Sequence, residues 1–153
     1  MDTSGNFDVR FAQSDELDAV ADVWFESASG MDGAMSEMPS RGELRSRINQ
    51  EIAGGWVLHV ALRHGRVVGM LALRPSAATL DQLFVHPSDQ GHGVGRALLN
   101  VAKSTMPDGF RLRTASSNAR GRAFYERQGL SLLKEDIHPR TGAPVCFYEW
   151  SGR

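Results

Sequence analysis

Between residues 90 and 96 a glycine stands at every second position, in the run Gln90-Gly91-His92-Gly93-Val94-Gly95-Arg96. The run separates a strand-like segment from a helix-like one. Three absent side chains let successive backbone N–H groups face one concavity, and the helix N-terminus adds partial positive charge, so the chemistry it offers is anion binding. Neither common nucleotide fingerprint fits: no Lys-Ser/Thr follows as in GxxxxGK[ST], and the spacing of GxGxxG fails. Local charge agrees with an anionic ligand. Residues 90–127 hold seven bases (Arg96, Lys103, Arg111, Arg113, Arg120, Arg122, Arg127) and two acids (Asp108, Glu126), a balance of +5, whereas residues 1–55 hold eleven acids and four bases, a balance of -7. The whole chain, at -1, conceals that asymmetry and speaks against a dedicated nucleic-acid or membrane-surface binder.

The elements that must position this loop follow from periodicity and punctuation. Residues 7–11, 56–63, 67–74, 79–85, 111–115, 130–135 and 145–150 read as strands. Helical spacing of apolar residues marks a helix opened by Ser14, one opened by Ser40, one over 97–105 and one over 118–128. The order β-α-α-β-β-β-α-β-α-β-β gives a mixed α/β sheet of about seven strands, mostly antiparallel, with helices on both faces; strand 79–85, helix 97–105 and strand 111–115 form its parallel crossover. No repeat, low-complexity tract or linker divides the sequence, so residues 1–153 are expected to form one domain. A single cysteine, Cys146, excludes an intrachain disulfide and a multi-cysteine metal cage, and no metal is expected. With no apolar stretch of membrane-spanning length and no hydrophobic leader, the expectation is a cytoplasmic protein without membrane or nucleic-acid partners.

LFVHPSDQGHGVGRALL resembles the pyrophosphate-binding motif [Q/R]-x-x-G-x-[G/A] of the GNAT superfamily of acyl-CoA dependent N-acyltransferases, with Gln90, Gly93 and Gly95 at its fixed positions. NARGRAFYERQGL is similar to the family's next helix, with Asn118 at its start and Phe124-Tyr125 two turns on. The resemblance spans essentially the whole chain. It implies the family's V-shaped split between strands 79–85 and 111–115, with the pantetheine arm lying in the gap. The amides of Gly91, His92, Gly93, Val94, Gly95 and Arg96 would carry the pyrophosphate of acetyl-CoA as cosubstrate, and Arg96 and Arg122 are the preferred phosphate partners. Backbone N–H near the end of the fourth strand, at Phe84 and Val85, would polarise the acyl carbonyl, and Asn118 would hydrogen-bond the arm or an ordered water.

Acyl transfer to an amine needs a proton acceptor and, preferably, an acid for the departing thiolate. A phenol stays protonated at neutral pH, and the family commonly uses a tyrosine where Tyr125 stands. Asp81, matching positions where relatives carry a catalytic Glu or His, is the provisional base acting through water; His86 is second, and His92 is a possible phosphate contact. Strict alternation places Asp81 on one strand face with Thr79, Leu83 and Val85. Acceptor binding is assigned to the loop carrying Met31, Asp32 and Glu37, whose acids and flexible apolar side chains would suit a cationic amine. The implied activity is acetyl transfer to a primary amine, of a small molecule or a peptide, in a ternary complex, and many relatives pair as homodimers. The alternatives are a CoA-binding regulatory module without turnover, a larger acyl group, or a hydroxyl acceptor.

Overall fold

A computed structural model of the chain describes residues 7–29 and 39–153. Strands β1 (Phe7–Phe11), β2 (Val57–Arg63), β3 (Arg66–Arg74), β4 (Thr79–Val85), β5 (Phe110–Ala115), β6 (Ser131–Ile137) and β7 (Pro144–Trp150) form one sheet in the order β1-β2-β3-β4-β5-β7-β6. Only β4 and β5 run parallel; the other neighbours are antiparallel. Helices α1 (Leu17–Ser29) and α2 (Arg41–Ala53) bury Val20, Trp24, Leu44 and Ile48 against Val60 and Met70 on one face. On the other face, α3 (Val94–Thr105) and α4 (Ala119–Arg127) bury Leu98, Leu99 and Tyr125 with Leu71, Leu112 and Tyr148.

Local chemistry accounts for the boundaries. The β2–β3 turn places both His64 (φ 54°) and Gly65 (φ 74°) in the left-handed region, as a two-residue hairpin whose twist matches its strands requires. Ser40 caps α2, its Oγ accepting from Glu43 N at 3.1 Å while Glu43 Oε1 accepts from Ser40 N at 3.0 Å, a reciprocal arrangement that satisfies two orphan donors. At the first helix the cap is Gln13, not Ser14: a short 3-10 turn over Ser14–Glu16 precedes α1, and Glu16 accepts from Gln13 N. Helix α3 begins at Val94, three residues before the sequence expectation, because Gly93 already serves as its N-cap.

Two features set the geometry of the sheet centre. Gly69 of β3 lies under α3, where a Cβ would meet Leu98 Cδ1 at 3.0 Å and Val94 Cγ1 at 3.1 Å; the missing side chain lets the first turn of α3 settle on the sheet. In β4 the register against β3 runs from Ala72↔Gln82 to Leu73↔Leu80, so Asp81 is an extra, unpaired residue. This bulge overturns the strict alternation read from the sequence. Leu80, Leu83 and Val85 all face the α3 core while Phe84 packs against the α1 core, and the strand bends where the extra residue sits.

Most described acids of the N-terminal region stand beside arginines, four of which are already counted in the −7 balance, with Arg74 alone coming from outside it. Arg41 pairs with Asp22 and Glu26, Arg45 with Asp18, Arg10 with Glu16, and Glu51 lies between Arg47 and Arg74. These are mostly surface pairs of small individual energy. They nevertheless leave few free carboxylates on the described part of α1 and α2.

Candidate active site

Strands β4 and β5 meet only at Thr79↔Arg111, where Arg111 N donates to Ala78 O at 2.9 Å. Beyond that point they diverge, and the gap opens into a cleft of about 810 Å³. His86 N donates to Val68 O at 2.8 Å, so the ladder alternation turns the N–H of Phe84 toward β3 and those of Leu83 and Val85 toward the gap. Phe84 therefore cannot polarise a ligand through its N–H; its ring stacks 6.4 Å from Trp24 and lines the cleft. The Val85 carbonyl accepts from Ser27 Oγ at 2.8 Å and Gln90 Nε2 at 3.1 Å, which holds the end of β4 at the head of the gap.

The glycine loop closes that head, and its three glycines are there for different reasons. Gly91 (φ 83°) and Gly93 (φ 87°) hold left-handed backbone with no atom within 4 Å of where a Cβ would stand, whereas a Cβ at Gly95 would meet Phe124 Cζ at 3.4 Å. The first two thus shape an open concavity and the third lets α3 approach α4. No side chain caps α3 at Gly93, so its first N–H groups remain available to a ligand. Val94 is buried in the core and offers only its backbone. Arg96 borders the cleft; His92 is exposed and does not.

Beneath the loop lies Asp89, buried and not anticipated from sequence. Its Oδ2 accepts from Ser88 Oγ at 3.0 Å and Arg66 Nη2 at 3.3 Å, and Arg63 Nη1 stands 3.6 Å from Oδ1. Asp89 ties the loop to the β2–β3 hairpin. Asp89→Ala is expected to cost about 1–3 kcal/mol in urea unfolding by leaving these donors unpaired and to weaken ligand binding at the loop. An unchanged midpoint and unchanged affinity would show that the loop is held by its backbone alone.

Helix α4 supplies the opposite wall. Asn118 Oδ1 accepts from Gly121 N at 3.2 Å and its Nδ2 donates to Thr114 Oγ1 at 3.0 Å, so this buried side chain both caps the helix and ties it to β5. Tyr125 lies between Phe124 (5.4 Å) and Tyr148 (6.1 Å). It lines the cleft as a buried residue, and its hydroxyl makes no hydrogen bond among the described residues. Burial pushes the phenol up to about 12, because an anion is poorly solvated there.

Arg122 does not point into the cleft. Its Nε donates to Tyr148 Oη at 3.0 Å and its Nη1 to Ser116 O at 3.2 Å; the helix turns it toward β7, and Arg120 and Arg127 border the cleft instead, with Arg113 of β5. Asp81 also borders it, but Oδ2 already accepts from Trp56 Nε1 and Arg74 Nε, each at 2.8 Å, leaving Oδ1 as its unengaged oxygen among the described residues. His86 Nδ1 is occupied with Ser88, through Oγ at 2.8 Å and N at 3.2 Å. Cys146 is buried beside Ser116 Oγ at 3.3 Å. Neither borders the cleft. Met31, Asp32 and Glu37 lie outside the described residues. Among the described residues no group of three or more His, Cys, Asp or Glu is placed to hold a metal.

The described geometry, a glycine-built cradle above two parallel strands that part, accords with the comparison to known proteins: residues 54–129 match the Acetyltransferase (GNAT) domain. The chain belongs to the GNAT acetyltransferase family. Two curated relatives are similar over part of this GNAT chain. A probable N-acetyltransferase of Mycobacterium tuberculosis is 33% identical over 85 residues, covering 52% of this chain and 49% of the relative. Mycothiol acetyltransferase of Beutenbergia cavernae is 34% identical over 95 residues, covering 58% of this chain and 31% of the relative. The matches thus span about half of the first relative's length and under a third of the second's. The GNAT fold extends further: the PaiA N-acetyltransferase of Thermoplasma acidophilum, solved in complex with coenzyme A, superposes with a TM-score of 0.72 at 18% identity, covering 95% of this chain and 98% of that one.

Proposed function

We propose that this protein transfers an acetyl group from acetyl-CoA to a primary amine, in the cytoplasm, by direct attack within a ternary complex. The observation that carries the reading is the join between the uncapped left-handed glycine loop and the parted β4 and β5 edges: anion-binding amides stand at the head of a slot whose walls present unpaired backbone groups. That combination suits a ligand with a diphosphate at one end and an amide-bearing arm behind it. The names of the two curated relatives, and coenzyme A bound in a structural neighbour, support the same chemistry.

In this reading the amides from Gly91 to Arg96 hold the diphosphate, with Arg96, Arg120 and Arg127 adding positive charge. Leu83 and Val85 offer the gap-facing N–H groups, one of which polarises the acyl carbonyl. Asp81 Oδ1 orients the amine and takes its proton through water. As the amine nitrogen bonds to the carbonyl carbon and the carbon–sulfur bond breaks, Tyr125 gives its proton to the leaving sulfur.

The test has two parts. Calorimetry on the purified protein should show acetyl-CoA and CoA binding; absence of heat and of any melting shift at millimolar ligand would remove the reading. Thiol release against a broad amine panel should then reveal turnover, and silence with intact CoA binding would favour a CoA-binding module. The pH profile is a further expectation. Because the phenol is held up to about 12, its protonated, active form persists upward, so kcat/KM should rise as the amine loses its proton and show no fall through about pH 10. A descending limb near that value would mean that the acid titrates as an ordinary phenol.

A further inference from the structure

We infer that the acceptor is an amine bearing its own carboxylate, and that Arg113 is the residue that selects it. The inference rests on the transferase reading. Along β5, Phe110, Leu112 and Thr114 are buried; Leu112 joins the α3 core and Thr114 is bonded to Asn118 of α4. Alternation therefore directs Arg111 and Arg113 to the opposite face, the side of α1 and α2. Arg111 is occupied there by Glu149 Oε2 at 3.1 Å. Arg113 is exposed, borders the cleft and has no carboxylate partner among the described residues.

Across the gap, Asp81 turns to the same face, since its partner Trp56 belongs to the α1 and α2 core. Thr79 and Arg111 mark the point where the strands part, and Asp81 and Arg113 each stand two residues beyond it. A carboxylate on one limb and a guanidinium on the other thus flank the narrow end of the V without forming an ion pair with each other. The acids of α1 and α2 are meanwhile mostly paired off. This pattern fits a zwitterion, amine toward Asp81 and carboxylate on the guanidinium fork, better than the purely cationic amine suggested by the sequence balance. The diphosphate cradle lies at the N-terminus of α3, on the other face, so Arg113 is free of the coenzyme.

Matched probes that differ by one carboxylate test this: phenylalanine against phenethylamine, and glycine against methylamine, with acetyl-CoA as donor. The carboxylated member should be favoured about tenfold in kcat/KM, a charge-assisted contact at a partly exposed site. Arg113→Gln should abolish that preference, Arg113→Lys should restore part of it, and neither should alter CoA affinity by calorimetry. Should no probe turn over, the melting shift each gives on the CoA-loaded protein serves as the readout, and a carboxylate preference lost in Arg113→Gln upholds the inference. Equal response to both members of each pair, with CoA still binding, overturns the inference and leaves the transferase reading standing. A fall in CoA affinity in Arg113→Gln overturns it too, since the arginine would then serve the coenzyme. Absence of CoA binding in the wild type removes both.

Discussion

Leucine at position 93 is expected to weaken acetyl-CoA binding by about a hundredfold, the change corresponding to roughly 2.7 kcal/mol. Two effects combine. The backbone at Gly93 sits at φ 87°, where any L-side chain is strained by about 1–2 kcal/mol. The position faces open space, with no protein atom within 4 Å of a Cβ, so the new side chain enters the concavity proposed for the diphosphate. Gly65 separates the two effects: it is equally left-handed, at φ 74°, and equally open, but lies in the β2–β3 turn. Gly65→Leu should lower the melting temperature much as Gly93→Leu does and leave coenzyme affinity intact. Equal affinities in the two variants, measured by calorimetry, would reject the cradle.

Removing the Tyr125 hydroxyl should instead act on the chemical step. Tyr125→Phe is expected to reduce kcat about a hundredfold, the lower end of what a positioned acid contributes, because a thiolate is already a fair leaving group. Coenzyme affinity should change by no more than about twofold. The variant is a clean test because the hydroxyl has no protein partner among the described residues, so phenylalanine keeps the packing against Phe124 and Tyr148 and leaves no orphaned donor. Single-turnover measurements isolate chemistry from product release, and an unchanged rate there would take Tyr125 out of the mechanism.

Strand positions were legible because glycine, proline and alternating apolar residues punctuate them; β1 and β4 match their expected limits. The glycine loop was legible because its chemistry lies in the spacing itself. What failed depended on orientation. A one-residue bulge at Asp81 has no sequence signature, yet it reverses the faces of half a strand. Helix α4 carries Arg120, Arg122 and Arg127 within two turns, and only the packing of Tyr125 and Phe124 decides which of them see the cleft. Asp89 gave no signal at all, since an acid beside a turn looks solvated until the hairpin arginines fold over it. A linear charge sum is likewise silent on placement: Arg41 and Arg45, both counted in it, reach across to Asp22, Glu26 and Asp18 of the neighbouring helix.

The single ladder contact between Thr79 and Arg111 makes the sheet two plates joined at one corner, with the space of an absent strand between them. A cosubstrate that fills that space also acts as mortar. At a hundred times its dissociation constant it would add about 2.7 kcal/mol to the folded state, a sizeable share of what holds a small domain together. The abundance of such a protein would then follow the cell's pool of coenzyme A, acetylated or free, thinning by proteolysis where that pool is depleted, with no dedicated sensor.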